Sequence, residues 1–243
     1  MADPKRLKKF QERMAKLQKS VSFQQYKETV IIKILDYARQ NPDADLKALK
    51  KEITEIFGEP FEEFSNELFT RYDDIIEVTN KLYYDVGEEI TRDHNKIAAI
   101  EKVNSTRLGN YEQRWVNKLS KVTRRALVDN VDYYELRNRI KHVGGGVADY
   151  ADVLASTQIK GYGREIKYQK ATLGEVLWYE YMGNIRKTTR PFCLPKVGEH
   201  FHINEIEKME NGPKQLKPVI TYCGGWNCRH DWEPDPFYKG EKE

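Results

Sequence analysis

The chain has 243 residues, of which 33% are charged and 39% are hydrophobic, and its formal net charge is only +3. No run of about 18 apolar residues is present, so no transmembrane helix is expected, and this small net charge does not by itself indicate a nucleic-acid-binding protein. Three cysteines, an odd number, argue against a disulfide framework and for folding in a reducing compartment.

The first 20 residues predict a basic helix. Seven Lys or Arg residues and two acidic residues give this stretch a net charge of +5. Leu7, Phe10, Met14 and Leu17 recur at helical spacing and predict one apolar face. The pattern fits a helix that packs lightly on the body, an arm that contacts DNA or an acidic partner, or a calmodulin-like or membrane-surface contact. The residues predicted to bind DNA or a partner are Lys5, Arg6, Lys8, Lys9 and Arg13.

Two amphipathic helices are predicted between residues 22 and 58, because apolar side chains recur there every three or four positions. Pro60 is predicted to begin a new element. A long helix is predicted over residues 62–103, and Gly87 is expected to kink or divide it. Long helices in a polar chain often act as packing struts between subunits, and an ordinary bundle helix is the alternative.

Two further amphipathic helices are predicted, one over residues 110–128 and one from residue 129 onward. The three glycines at 144–146 are expected to end the second helix and to act as a flexible joint. A phosphate-binding loop is rejected because neither a Gly-Lys-Ser/Thr sequence nor a strand accompanies these glycines. Another helix, interrupted near Gly161 and Gly163, is predicted up to residue 174.

Beyond residue 175 the hydrophobic period changes. The aromatic stretch at 176–183 is typical of a strand, residues 200–212 fit a short strand and then a short helix, and residues 217–225 fit a second strand. The predicted fold is therefore mainly α, with an elongated helical body and a small C-terminal α+β module. The predicted segments are a basic arm at 1–20, a helical body at 21–174 and a Cys/His-containing module at 175–243.

All three cysteines and three of the five histidines lie within residues 193–230. Cys193, Cys228 and His230, with one further histidine, form a candidate zinc site, because zinc takes four thiolate or imidazole ligands in a tetrahedron. The spacing lacks the two CxxC knuckles of a strong zinc pattern. Buried cysteines and hydrogen-bonded histidines that hold a small module together are therefore the main interpretation, and zinc is the one candidate cofactor.

Catalysis by Cys193 or Cys228 with a nearby histidine base is another interpretation of this window. No oxyanion loop and no acidic pair of clear role accompanies it, so the chain is predicted not to be an enzyme. Arg190 and Arg229 suit a structural role instead, because one guanidinium can bind carbonyls from several loops. Trp232 can supply apolar area to a module too small for a conventional core.

These C-terminal residues resemble a known family. The sequence WYEYMGNIRKTTRPFCLPKVGEHFHINEI at 178–206, followed by GGWNCRHDWEP at 224–234, is similar to the C-terminal module of the Mu F-like head morphogenesis group. These are the minor head (minor capsid) proteins of tailed bacteriophages and prophages. The likeness covers about 60 residues. The positions that carry it are Tyr179 to Gly183, Thr189, Arg190, Cys193, Gly224, Gly225, Cys228, Arg229 and His230.

The resemblance implies a structural role. Such proteins join portal and capsid or scaffold subunits near the portal vertex, inside the head, and are linked to head assembly and to genome packaging or delivery. We therefore expect a virion protein made in the host cytoplasm, with no membrane partner, that contacts double-stranded DNA non-specifically. Two places depart from the family pattern: Lys196 stands where many members have a second cysteine, and Gly225 and Trp226 stand where many have a histidine.

Two alternative functions stay open at this point. A metal-dependent nuclease or other DNA-processing enzyme would use the Cys/His window, and a DNA-binding regulator would use the basic arm. Metal content and plasmid nicking distinguish the nuclease from a minor head protein. Binding to a portal oligomer distinguishes the minor head protein from the regulator.

Overall fold

A computed structural model describes residues 3–92, 94–212 and 216–240. The α-helices are α1 (Pro4–Lys19), α2 (Gln24–Gln40), α3 (Leu46–Leu82), α4 (Asn95–Val128), α5 (Tyr133–Leu173), α6 (Ile203–Lys208) and α7 (Val219–Tyr222). The strands are β1 (Trp178–Met182), β2 (His200–His202) and β3 (Asp231–Pro234), and a 3₁₀ turn spans Leu194–Lys196. The prediction of a mainly α protein with a small C-terminal α+β module is confirmed. None of the described helices combines the length and the apolar character needed to cross a membrane.

The sheet has three antiparallel strands in the order β2-β1-β3. Strand β1 is central, because Tyr179 pairs with Phe201 of β2 on one side and with Pro234 of β3 on the other. Its alternate residues Tyr179 and Tyr181 are buried, as expected for a strand with one face in a core. The predicted strand at 176–183 and the predicted strand and helix at 200–212 are confirmed.

The predicted strand over residues 217–225 is wrong. Residues Val219–Tyr222 form the one-turn helix α7, and all four are buried. Cys223 follows with a positive φ of 49°, which ends the helix and turns the chain. A short apolar run fits a buried strand and a buried helical turn equally well, so hydrophobicity alone did not distinguish them.

The chain divides into two compact units. Unit 1 comprises the residues up to 20, residues 70–101 and the residues from 156 onward, and unit 2 comprises residues 21–69 and 102–155. Helices α3, α4 and α5 each continue from one unit into the other. For this reason the units do not coincide with the three consecutive segments that composition predicted.

Unit 2 contains a cluster of phenylalanine rings. Phe23, Phe57, Phe61 and Phe64 are buried, with neighbouring ring centroids 5.3–6.2 Å apart. The prediction that Pro60 begins a new element is wrong, because α3 continues through it. A proline inside a helix costs about 3 kcal/mol, whereas burial of one phenylalanine side chain stabilises by about 1.5–3 kcal/mol. The three phenylalanines that α3 buries offset the cost of its proline.

The three glycines at 144–146 also lie inside a helix, since α5 runs through them. The predictions that they end a helix and form a joint are therefore wrong. A β-carbon on Gly144 would lie 2.9 Å from Ile31 Cδ1, while one on Gly145 would meet nothing within 4 Å. Gly144 thus allows α2 and α5 to approach closely in unit 2, and this packing outweighs the low helix propensity of glycine.

The predicted helix over residues 62–103 is two helices, and Gly87 lies between them, in agreement with its predicted dividing role. A β-carbon on Gly87 would lie 1.9 Å from the carbonyl oxygen of Lys170. Glycine therefore allows this connection to cross the end of α5 within unit 1. The predicted interruption at Gly161 and Gly163 is wrong, because α5 is continuous at both positions.

Helix α1 forms as predicted and packs within unit 1. The Asp3 carboxylate caps it by accepting hydrogen bonds from two backbone N–H groups of the first turn. Leu7, Phe10 and Met14 are buried, and the Phe10 ring meets the Tyr83 ring edge-on with centroids 5.7 Å apart. The apolar face of the basic helix is therefore a part of the core of unit 1.

Candidate metal centre

Cys193, Cys228 and His230 come together in unit 1. Cys193 immediately precedes the 3₁₀ turn, whereas Cys228 and His230 lie in the loop that leads into β3. Their ligand atoms all lie within 4.8 Å of one another, and the three residues are buried. These are the residues that the sequence predicted as metal ligands, and the fold brings them together across 35 positions of the chain.

Two of the three distances within this Cys/His cluster match those between ligands of a tetrahedral metal. Cys193 Sγ and Cys228 Sγ are 3.9 Å apart, and Cys228 Sγ lies 3.8 Å from His230 Nδ1. Zinc bonds of about 2.3 Å to sulfur and about 2.0–2.1 Å to nitrogen give tetrahedral edges of roughly 3.8 Å between two sulfurs and roughly 3.6 Å between sulfur and nitrogen. These two edges therefore fit zinc, the third is at most 4.8 Å, and the donor set is one that zinc prefers.

The cluster lines a cavity of about 230 Å³. It supplies three ligands from the described residues. Closed structural zinc sites have four protein ligands, while catalytic sites have three and leave one position open to solvent or substrate. The geometry of the cluster is therefore compatible with a metal that has one accessible position.

Hydrogen bonds between the side chains set the protonation of the two thiols. The hydrogen bond from the Cys193 thiol lowers the pKa of Cys228, and the His230 imidazole and the charge of Arg164 lower it further. The same bond, with burial, raises the pKa of Cys193. The Tyr181 hydroxyl donates to Cys193 Sγ at 3.2 Å. The pair thus favours one thiolate, which is the form of cysteine that binds metals.

Two glycines allow the backbone to approach the cluster closely. A β-carbon on Gly224 would lie 2.6 Å from Cys193 Sγ and 3.3 Å from Cys228 Sγ. One on Gly183 would lie 2.6 Å from His230 Cδ2. Real β-carbons do not approach other atoms so closely, so any larger residue at either position would displace a ligand of the cluster.

Other motif residues hold the surrounding loops. The Arg190 guanidinium donates to the carbonyl oxygen of Trp226, as its predicted structural role requires. Thr189 Oγ1 accepts a hydrogen bond of 2.8 Å from the backbone N–H of Arg186. Trp232 is buried, and its indole N–H donates to a carbonyl oxygen of α7 at 3.2 Å. These contacts fix the two loops that carry the cluster.

Gly225 adopts a φ of +91° in the turn before Cys228, a conformation that glycine takes without steric cost. Arg229 departs from its predicted role: its side chain is exposed, and within the described residues its guanidinium makes no hydrogen bond to a carbonyl. Arg164 of α5 ties the carbonyls instead. Its Nη2 donates to the carbonyl oxygens of Cys228 at 2.9 Å and His230 at 2.7 Å.

Sequence analysis missed a buried ionic network that supports β3. Lys167 Nζ lies 2.7 Å from Asp231 Oδ1 and 3.2 Å from Glu233 Oε2. Arg6 Nε lies 3.1 Å from Glu233 Oε1, and the Tyr83 hydroxyl donates to Glu233 at 2.8 Å. Burial raises the pKa of Glu233, and the neighbouring Lys167 opposes that rise. The network joins α1 and α5 to the strand that follows the cluster.

A signal for this network was present in the sequence. Lys160, Arg164 and Lys167 are four and three positions apart, so they share one face of a helix. Asp231 and Glu233 are two positions apart, so they share one face of a strand. The helix thus has a basic face, and the strand has an acidic face. This combination predicts that the two faces pair.

His200 and His202 are engaged outside the cluster. His200 Nε2 lies 3.1 Å from Asp235 Oδ2. His202 Nδ1 accepts a hydrogen bond from the backbone N–H of Asn204 and so caps α6. The expectation that a second histidine completes the metal site is not met in the described part of the chain.

The residues predicted to bind DNA fall into two groups. Arg6 is half-buried, and its guanidinium is bound to Asp85 at 2.8 Å as well as to Glu233, so it serves the interior of unit 1. The exposed members are Lys5, Lys8, Lys9 and Arg13. The exposed face of α1 keeps the basic character on which DNA binding was predicted, and this binding stays a prediction.

Comparison of the chain with models of protein families, with curated proteins and with solved structures finds no match. The function is therefore inferred from the geometry of the Cys/His cluster and from the motif residues around it.

Proposed function

We propose that this chain is a structural minor head protein of a tailed phage or prophage, which associates with portal and capsid subunits during head assembly. The observation that carries the proposal is the mutual packing of the motif residues. The Tyr181 and His230 rings stack with their planes 7° apart, and Gly183 and Gly224 leave room for the cluster. Because most of the motif residues contact or leave room for one another, the motif describes one structural module, which supports the resemblance to the Mu F-like group.

DNA contact is the second part of this proposal. The exposed face of α1 carries Lys5, Lys8, Lys9 and Arg13, and basic side chains on a helix bind phosphates without sequence preference. Such weak, salt-sensitive binding suits a protein placed against a packaged genome. Readout of a particular sequence would favour a regulator instead.

We also propose that the cluster binds zinc through its three ligands, with the fourth position open to solvent, and that this zinc holds two loops together. A metal held by Cys193, Cys228 and His230 would join the loop before the 3₁₀ turn to the loop before β3. Small modules with a limited core often depend on such a metal. Zinc binding is expected at one ion per chain in the wild type and none in Cys228→Ser, whereas Cys223→Ser, whose sulfur lies outside the cluster, keeps the ion.

Co-expression with the portal protein encoded beside this chain tests the minor head proposal. Native mass spectrometry of the purified complexes is expected to show this chain bound stoichiometrically to the portal ring. A portal protein from an unrelated phage serves as the control and is expected to remain free. A chain that stays monomeric beside its own portal protein would contradict the proposal.

A metal-dependent nuclease is the second candidate, because the cluster lines a cavity that Arg186, Arg190 and Arg229 also line. In such an enzyme the arginines would bind the phosphate of the substrate, and a metal with an open position would activate water. Incubation of supercoiled plasmid with the zinc-loaded protein separates the candidates. The structural proposal predicts no nicking, whereas nicking that Cys228→Ser abolishes would establish the nuclease.

A further inference from the structure

Two neighbouring cavities in unit 1, of about 260 and 230 Å³, share Asn184, Arg186 and Arg229 in their walls. The first cavity is also lined by Lys160, and the second by Arg190. Both volumes lie below the roughly 300–1,000 Å³ of pockets for drug-sized molecules. The cavities therefore suit a small polar group better than a large organic ligand.

The positive charge around these cavities exceeds the negative charge, even with one thiolate of the Cys193 and Cys228 pair in the second cavity. Arg186 and Arg229 are exposed, and in the described part of the chain their guanidinium groups form neither an ion pair nor a hydrogen bond. Asp231 is the one carboxylate among the described residues that line either cavity, and it is bound to Lys167 at 2.7 Å. The loop at 183–198 contains no acidic residue. Its basic residues are Arg186, Lys187, Arg190 and Lys196.

Lys160 shows the effect of this excess charge. Its ammonium donates to Asn227 Oδ1 at 2.9 Å, which holds the side chain at the cavity wall. Burial, together with the charges of Arg164 and Arg229, lowers the pKa of Lys160 to about 8. An anion bound in the cavity would offset the repulsion among these cations.

The available donors match a phosphate group. A guanidinium presents two parallel N–H groups that pair with two oxygens of one phosphate. Thr188 and Thr189 add hydroxyl groups to the second cavity. Thr189 Oγ1 accepts the backbone hydrogen bond from Arg186, so its own hydrogen is oriented away from that N–H and remains a donor. A phosphate offers four oxygens to several forks and hydroxyls at once, whereas a carboxylate offers only two.

We propose that Arg186 and Arg229, flanked by Lys160 and Arg190, form a binding site for a phosphate group. The phosphate belongs either to the backbone of DNA or to free inorganic phosphate. The site lies in the loop before Cys193 and in the loop before β3, and it is distinct from the exposed face of α1. It requires neither a portal partner nor catalysis, so it stands independently of the proposed function.

The test compares the wild type with the double variant Arg186→Gln/Arg229→Gln. Affinity for a short DNA duplex is measured by fluorescence anisotropy between about 50 and 200 mM salt. The variant is expected to bind roughly ten-fold more weakly at low salt, with the slope of log K against log salt reduced by about 1–2, because each lost phosphate contact removes about 0.9 from that slope. The matched control Arg39→Gln/Arg137→Gln removes the same charge from exposed positions of unit 2 and is expected to bind like the wild type.

Titration calorimetry with inorganic phosphate distinguishes the two sources. Phosphate binding that the double variant loses, with duplex affinity unchanged, supports the site with free phosphate as the ligand, and lost duplex affinity supports it with the DNA backbone as the ligand. No binding of either ligand by the wild type, or equal binding by the double variant, would overturn the proposal. Duplex affinity that disappears only when α1 is altered would also overturn it, if the wild type binds no inorganic phosphate either. The α1 changes are Lys5→Gln, Lys8→Gln, Lys9→Gln and Arg13→Gln.

Both arginines are exposed, and their side chains form no ion pair or hydrogen bond within the described residues. The double variant is therefore expected to fold, which circular dichroism verifies. If the chain failed to bind a portal protein, the expected affinities for phosphate and for duplex DNA would stay the same. The phosphate site and the minor head proposal are therefore tested separately.

Discussion

The two compact units bury different kinds of side chain. Unit 2 packs phenylalanine rings such as Phe23 and Phe57 between long helices. Unit 1 buries ion pairs, thiols and an imidazole around β3, with Lys167 bound to Asp231 at its centre. An apolar core needs volume and shape, whereas each buried charge needs its own partner because an unpaired charge in the interior is costly. Unit 2 should therefore tolerate conservative changes that unit 1 does not.

The substitution Lys167→Met makes the sharpest test of this difference. It keeps the unbranched aliphatic stem of the side chain but removes the ammonium between Asp231 and Glu233. Breaking a buried ion pair on one side costs about 3–5 kcal/mol, and we expect the lower end because Arg6 and Tyr83 still bind Glu233. Urea denaturation followed by circular dichroism measures the change in the free energy of unfolding.

Leu49→Met is the matched control in unit 2. Leu49 is fully buried, and a swap between two apolar residues of similar volume costs less than about 1.5 kcal/mol. Equal losses in the two variants would mean that the ionic network adds no more to stability than ordinary packing, and the contrast between the units would fail.

Apolar periodicity predicted the helices well because burial of one face is what stabilises them in the fold. α1 and β1 follow their patterns for this reason. The predictions failed at Pro60, at the glycines of α5 and at residues 217–225, where tertiary packing overrides local propensity or where a short apolar run fits two structures. Such outcomes depend on neighbours that are distant in the chain.

The candidate site was predictable in its residue types and not in its geometry. Cys193, Cys228 and His230 stood out because cysteine and histidine are rare in this chain and are metal ligands by their chemistry. The role of Arg164 depends on carbonyl groups 64 and 66 positions away, and the exposure of Arg229 depends on how its loop turns. Spacing along the sequence indicates neither the contacts of Arg164 nor the exposure of Arg229, so only the folded structure revealed these two features.

Zinc removal is expected to destabilise unit 1 and to leave unit 2 unaffected. At a free zinc concentration of about 100 times Kd, binding stabilises the folded state by about 2.7 kcal/mol. This stabilisation should vanish when a chelator is added and in Cys228→Ser. Hydrogen exchange resolved by residue measures the loss. Protection of the amides is expected to fall around β1 and β3 on zinc removal and to stay constant around Phe57. A uniform loss over both units would show that the metal does not act through the cluster alone.

Gly224→Ala should weaken the metal site without removing any ligand. Its β-carbon would lie 2.6 Å from Cys193 Sγ and 3.3 Å from Cys228 Sγ, so one thiol or the loop must move. Groups that orient metal ligands typically change affinity by about 10–100-fold when they are altered, and a loss of this size is expected in a competition titration with a zinc-binding dye. Gly198→Ala is a poor control because its φ is +89°, whereas Gly109→Ala meets open space in α4 and should bind zinc like the wild type.

The smallest expected effect has the opposite sign and lies in unit 2. Gly145 is inside α5, and a β-carbon there meets nothing within 4 Å. Gly145→Ala should therefore raise the free energy of unfolding by about 0.5–1 kcal/mol, since glycine costs about that much in a helix interior. Gly144→Ala is the comparison, because its β-carbon would press on Ile31 at 2.9 Å and should cancel the gain. If Gly145→Ala instead destabilised the protein, helix propensity would not govern this part of α5.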